Sequence, residues 1–469
     1  MFRFWQRRRR VLVLGLDCAS PELVFHQWAQ ELPTLNALQR QGTWGVLRSS
    51  IPCITVPAWA SMLSSRDPGV MGVFGFRNRA DYSYDALTTA DSRAVHVPRV
   101  WDILGAADKT SLVMNVPQTY PVAPLKGHLA SCFLTPSTGS AFTYPAIFKQ
   151  EILKQAPNYP FDIPNFRTAD KANLQQRIHD FIDVQYSVLE AALTSKDWDF
   201  AMHVNMGIDR VHHGFWRYHD PQHRLYEANN PYQHTIRDVY KQVDSWLGRL
   251  LERVGDDVTV LVVSDHGVKR MDGAIAINEW LWREGWLVLK TPPTMETPVK
   301  FESLEVDWSK TRAWSTGGYY GRIFLNVQGR EPQGVIAAAD YERVRDELAS
   351  HIASIPDHVG QPLTHRIFKP QDVYQTVNGA APDLIVYFGD LHWRCVGTVG
   401  YGQPYTLEND TGPDDANHAE EGMFLLYEPR RSGGPSAERQ LMDIAPTILQ
   451  RLNVPVPAPM QGRSLLSAP

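Results

Sequence analysis

Seven residues spread along the chain are of types and in places that could do chemistry together: Asp17, Thr55, Asp209, His213, Asp265, His266 and His418. Asp17 ends the apolar run VLVLGL at 11–16, Asp209 and His213 follow FAMHV at 200–204, and Asp265 and His266 follow VTVLVV at 258–263. In open α/β sheets, ligands gather in the crevice at the carboxyl ends of strands, so these positions face one another's neighbourhood. Asp209 and His213 are four apart and project from one face of a helical turn, whereas His212 points elsewhere and is set aside. His418 lies a few residues before the run MFLLY at 423–427. Taken singly, each has an ordinary alternative: a helix cap at Asp17, a chance Asp-His turn, a surface Asp–His pair, a structural histidine. Taken together, mixed carboxylates and imidazoles suit zinc, or manganese, better than calcium or magnesium. Six such ligands exceed one zinc and divide between two ions. Two cations about 4 Å apart clamp the attacking and leaving oxygens of an in-line displacement.

Thr55 supplies the nucleophile such a centre needs. It opens the segment TVPAWASML, where Pro57 suits a first helical position and Ala58, Trp59, Ala60 and Met62 suit a helix. A hydroxyl at a helix N-terminus meets free N–H groups and the positive end of the dipole, a ready seat for phosphate. A metal on that oxygen would favour the alkoxide, which a free threonine does not supply near neutral pH. The competing expectation is a plain N-cap threonine.

The elements that must position these groups are short apolar runs alternating with amphipathic ones. Besides the three runs above, 112–116, 384–388 and 423–427 read as buried strands, and the lack of polar alternation predicts a sheet covered on both faces, hence largely parallel. Leu174, Ile178, Phe181, Ile182, Val188 and Leu189 share a face of a predicted helix at 172–190; Ile236, Val239, Tyr240, Val243, Trp246, Leu247 and Leu250 do so at 235–251. The expected fold is α/β, a central, mostly parallel sheet sandwiched by helices. Residues 1–10 read as a basic tail, 11–290 and 379–469 as the catalytic core, and 291–378, rich in Pro, Gly and aromatics, as an inserted cap.

Composition narrows the class. With 469 residues, 43% hydrophobic and 21% charged, the chain reads as soluble and globular. A net charge of -5 and a pI near 6.3 argue against a nucleic-acid binder. Cys18, Cys53, Cys132 and Cys395 show no paired spacing, which predicts reduced thiols and a cytoplasmic setting. No stretch approaches the roughly 20 apolar residues of a membrane span.

The order Asp, Thr, Asp-x-x-x-His, Asp-His, His resembles the type I phosphodiesterase and nucleotide pyrophosphatase branch of the alkaline phosphatase superfamily. The wording is similar to the predicted phosphohydrolase/phosphomutase group within it. The shared phrases, among them VLVLGLDCASPELV, SSIPCITVPAWASML, NVPQTYP, LTPS, DRVHHGFW, SDHG, GRIFLNVQGREPQG, APDLIVY and DIAPTILQRLNVPVP, run from residue 11 to about 466. The resemblance implies an alkaline phosphatase-like fold with one metal on Asp209, His213 and His418 and the other on Asp17, Thr55, Asp265 and His266. It also implies that Thr55 attacks phosphorus in line, that a phosphothreonine forms, and that water releases the product from a small-molecule phosphate mono- or diester.

One departure touches the substrate. Nucleotide pyrophosphatases carry an asparagine after the nucleophile helix, where this chain reads GVFGFRN, with Phe76 near that place and Arg77 and Asn78 beside it. Four other readings compete, one of them an unrelated binuclear metallohydrolase that uses a bridging hydroxide and forms no covalent intermediate. A sulfatase needs Cys or Ser followed by x-Pro-x-Arg, which Cys53 lacks. A cofactor-independent phosphomutase typically uses serine. A non-catalytic binding protein on the same fold would have no use for an intact ligand set. Lys269, Arg270, Arg210 and Arg322 lie near motifs; solvated surface charge is the expectation for each.

Overall fold

Residues 9–294 and 297–466 are described by the computed structural model. Among them nine strands form the main sheet: β1 (Arg10–Leu16), β2 (Thr43–Arg48), β3 (Ser111–Met114), β4 (Gly127–Ala130), β5 (Thr143–Tyr144), β6 (Phe200–Asn205), β7 (Val258–Val263), β8 (Glu421–Tyr427) and β9 (Arg439–Gln440). Their order is β9-β2-β8-β7-β1-β6-β3-β4-β5. β7, β1, β6, β3 and β4 run parallel, and β3, β6 and β7 are buried along their whole length. Burial on both faces is what their unbroken Val, Leu and Met runs require.

Helices cover the sheet. α1 (Thr55–Ser64) packs with Ile444–Arg451, which also meets Val100–Ala106. α2 (Lys171–Ser195), α3 (Gly207–His219) and α4 (Thr235–Val254) pack on one another, with Pro33–Gln41 against α4. All the apolar face residues expected at 172–190 and 235–251 are buried, inside α2 and α4. The molecule is thus the expected helix-flanked, mostly parallel α/β sheet.

Two strand expectations are corrected in detail. Leu384–Tyr387 is a fully buried strand, but it pairs antiparallel with Gly321–Leu325 and Arg366–Phe368 in a separate four-stranded sheet with Ala313–Thr316. β8 joins the main sheet antiparallel, between β2 and β7. An unbroken apolar run reports burial on both faces; it carries no information on strand direction. The smaller sheet has its own apolar core, with Trp314, Ile323, Leu348, Ile352, Leu384 and Val386 at its centre. Of the basic tail, residues 1–8 lie outside the described residues. Arg9 donates to Asn453 Oδ1 at 2.7 Å, and Arg10 opens β1, donating to the Val254 carbonyl at 2.8 Å over the Trp198 ring.

Register sets the height of the site. Leu16 pairs with Asn205 and Gly15 with Val263, so β1, β6 and β7 end level. Asp17, the start of α3 and the Asp265-His266 pair therefore leave the sheet side by side.

Candidate metal centre

Each chemical side chain arrives from a different element. Asp17 directly follows β1, Asp209 and His213 stand on the first two turns of α3, and Asp265 and His266 follow β7. His418 sits on the strand Ala416–Ala419, which pairs antiparallel with Gly267–Arg270 and sets His418 opposite Val268. Ile54, in extended conformation, occupies the N-cap position of α1, so Thr55 is the first helical residue and not a cap. Pro57 is third in the helix, where its missing N–H costs nothing, since the first-turn amides have no intrahelical acceptor. That leaves Thr55 and Val56 as the first-turn amide donors.

The structure brings all seven residues together. Thr55 Oγ1 lies 3.4 Å from His266 Nε2, and His266 Nε2 lies 3.3 Å from Asp265 Oδ2 and 3.7 Å from Asp17 Oδ1. Across the stacked His266 and His418 rings (3.9 Å between centres), His418 Nε2 lies 3.3 Å from His213 Nε2 and 3.7 Å from Asp209 Oδ1. His213 Nε2 and Asp209 Oδ1 are 3.3 Å apart. Asp17–Asp265–His266 and Asp209–His266–His418 each place one ligand atom per residue close enough to share an ion. None of the seven is more than 2% exposed.

The remaining atoms of these side chains are tied elsewhere. His213 Nδ1 donates to Asp414 Oδ1 at 2.7 Å, His266 Nδ1 to the Gly267 carbonyl at 3.1 Å, and His418 Nδ1 to the Cys53 carbonyl at 3.2 Å. With Nδ1 as the donor, the neutral His266 and His418 rings turn an Nε2 lone pair inward, and His213 does the same once its Nε2 proton is displaced. The carboxylates follow the same rule. Asp17 Oδ2 accepts from Trp59 Nε1 at 2.7 Å, Asp265 Oδ1 from the Cys18 amide at 3.2 Å, and Asp209 Oδ2 from Arg210. Their other oxygens, Asp17 Oδ1, Asp209 Oδ1 and Asp265 Oδ2, are buried with no hydrogen-bond partner. Lone pairs facing lone pairs in a dry site are what a cation relieves.

Electrostatics agree. Burial, and then the charge of neighbouring carboxylates, pushes Asp17 and Asp265 well above the usual carboxylate range. Burial also opposes charge on Asp209, but His213 and Arg210 outweigh it and hold its pKa well below the ordinary value. Burial disfavours an imidazolium at His213, yet Asp414 and Asp209 push its pKa up to about 9, a proton standing where positive charge is wanted. Burial lowers His266 to about 4 and takes His418 well below its ordinary value.

Several residues escaped sequence reasoning. Asp414 also accepts from Tyr319 Oη (2.9 Å) and Arg167 Nε (2.7 Å), so it fixes His213 while held itself. Its place four residues before His418 was the available signal. Tyr319, reached from the 291–378 segment, lays its ring against His213 and His418 at 5.1 and 4.6 Å. Arg210 is corrected: far from being surface charge, it is 9% exposed and braced by both oxygens of Asp162. Lys269 pairs with Asp390, Arg270 with Asp272, and Arg322 donates to the Arg77 carbonyl. Asn78 is engaged in its own turn, accepting from Phe74 N and donating to the Gly75 carbonyl; Phe76 packs on Phe133, and Arg77 is exposed. His212 packs away from the cluster, beside Cys18 and the Tyr240 hydroxyl. Cys53 is a buried filler that offers its carbonyl to His418.

The sequence matches the type I phosphodiesterase / nucleotide pyrophosphatase family over residues 11–414, a span that stops just short of His418. No curated protein matches the chain. Among solved structures, murine ectonucleotide pyrophosphatase/phosphodiesterase 5 is similar at 12% identity, with 97% of each chain covered and a TM-score of 0.55; an inactive form of it in complex with AMP matches equally. Phosphonoacetate hydrolase from Sinorhizobium meliloti, in complex with phosphonoformate, gives 14% identity, 95% of this chain and 96% of that one, and a TM-score of 0.59. At these identities the structures speak for the fold. Among the described residues no helix is long and apolar enough to cross a membrane. The chain belongs to the type I phosphodiesterase / nucleotide pyrophosphatase family of the alkaline phosphatase superfamily, and it is a phosphoric ester hydrolase.

Proposed function

We propose that this protein is a two-metal phosphohydrolase that cleaves small-molecule phosphate mono- or diesters through a phosphothreonine at Thr55. Asp17, Thr55, Asp265 and His266 would hold one divalent cation and Asp209, His213 and His418 the other; zinc is favoured by the three imidazoles, with manganese second. The observation that carries this reading is the division of labour within the ligand set: each of three histidines and three aspartates has one polar atom tied outward and the other turned into a shared, dry centre. Bound there, the cations would supply Lewis-acid polarisation and neutralise charge developing on the phosphoryl oxygens.

The chain's own groups do the rest. Thr55 is held at the first turn of α1 with its hydroxyl toward His266, so its Oγ1 attacks phosphorus in line while the ester oxygen departs. The Thr55 and Val56 amides stand at the positive end of the helix, where a phosphoryl oxygen is best received. Water then attacks the same phosphorus, breaks the Thr55 Oγ1–P bond and restores the hydroxyl. Two inversions leave configuration at phosphorus retained. Tyr319, whose ring meets His213 and His418, supports reading the 291–378 segment as a cap that would help select the leaving group.

The test compares p-nitrophenyl phosphate with bis-p-nitrophenyl phosphate, with zinc or manganese, for wild type and Thr55→Ala. Thr55→Ala should lose about 10³-fold or more in kcat while folding normally, and a quenched wild-type reaction should yield phosphothreonine at residue 55 by mass spectrometry. Undiminished turnover in Thr55→Ala would point to attack by solvent and remove the covalent step.

A further inference from the structure

Trp59 does more than fill the core. It lies four residues after Thr55 on α1, hence on the same face and about 6 Å further along the axis. Its indole is fully buried, and its N–H, a donor with no acceptor capacity, points at Asp17 Oδ2 at 2.7 Å. That is the short contact of a charge-assisted hydrogen bond. The other oxygen of the same carboxylate, Oδ1, has no partner and lies 3.7 Å from His266 Nε2. The strand beneath makes room for the ring. A Cβ on Gly15 would stand 2.6 Å from Trp59 Cη2 and 2.8 Å from Val204 Cγ2, so the glycine near the end of β1 marks the close approach of this indole.

We infer that Trp59 is a positioning residue for the Asp17 half of the centre: its indole N–H pins one oxygen of Asp17, presents the other to the cation, and couples that ligand to the helix that carries Thr55. The inference rests on the metal-centre reading above. A packing role needs the ring alone; this role needs the N–H. One side chain thus fixes the distance between the nucleophile's helix and a ligand at the tip of β1, two groups whose sequence positions differ by 38 residues (55 minus 17).

The experiment uses the full chain, stripped with a chelator and titrated with zinc against a chromophoric competitor, for wild type, Trp59→Phe, Asp17→Asn and the double variant. Wild type should take two zinc ions. Trp59→Phe should bind one as wild type does and the other about 10- to 100-fold more weakly, with kcat reduced and KM unchanged. On the Asp17→Asn background, Trp59→Phe should cost nothing further. Equal zinc affinities in Trp59→Phe and wild type, equal weakening of both ions, or a full multiplicative loss in the double variant would each overturn the assignment. A wild type that takes up no zinc or manganese would instead count against the metal centre itself. Melting of the stripped proteins controls for folding. Should the Phe variant not fold, benzothienylalanine at residue 59, which keeps the bicyclic ring and lacks the N–H, puts the same question, and the same single ion should weaken.

Discussion

The two halves of the centre are built by opposite electrostatic strategies. Around Asp17, Asp265 and His266, at the tips of β1 and β7, the supporting groups are neutral: the Trp59 indole and the Cys18 amide donate to the carboxylates, and the Gly267 carbonyl accepts from His266. Around Asp209, His213 and His418 the support includes ions, with Arg210 braced by Asp162 and with Asp414 held by Arg167 and Tyr319. The carboxylates respond accordingly, pushed up in the first half and down in the second. Neutral donors orient a carboxylate without compensating its charge. On the proposed two-metal reading, the strand-tip half would therefore depend on a cation to remain ionised, whereas the helix half carries much of its own compensation.

Four substitutions sharpen or break that contrast. Asp209→Asn should have the largest effect, lowering the stability of the stripped protein by about 3 kcal/mol in urea unfolding, because it takes one of two carboxylate partners from Arg210 and from His213 at once. Asp414→Asn should weaken one zinc ion by about 10- to 100-fold, as loss of an outer-shell partner typically does, and a competition titration would show which ion. Asp265→Asn should move the other way from Asp209→Asn. It removes a carboxylate the stripped fold tolerates poorly, so the metal-free protein should gain about 1 kcal/mol while losing a ligand. If both aspartate variants destabilise the stripped protein alike, the contrast between the halves is wrong. Tyr319→Phe should be mildest, costing about 1 kcal/mol for the hydrogen bond to Asp414, read as a small drop in melting temperature with zinc still bound.

The residues of the candidate centre were readable because strand tips are readable. A run such as VTVLVV followed by Asp-His declares both its burial and the point where it ends. The α3 pair followed from helical periodicity in the same way. Support for the ligands was not readable, since Trp59, Arg210 and Asp414 act through partners fixed only by tertiary structure. Arg210 illustrates the difficulty: a lone arginine beside an aspartate in sequence reads as solvated, and only Asp162, 48 positions away, converts it into buried scaffolding. Direction of pairing failed for a related reason. Leu384–Tyr387 and β8 have the composition of parallel core strands but are antiparallel, one of them in a different sheet. The location of Thr55 was legible; its place as first helical residue and not cap depended on the extended backbone of Ile54.

The ribbon that carries His418 has a consequence for how the enzyme comes into being. Gly267–Arg270 is made early, directly behind Asp265 and His266, but its partner strand Ala416–Ala419 is made about 150 residues later. By then the chain already contains the parallel heart of the sheet and six of the seven residues proposed for the centre. On the proposed reading, catalytic competence would wait for the closing stage of synthesis, when a single antiparallel pairing delivers His418.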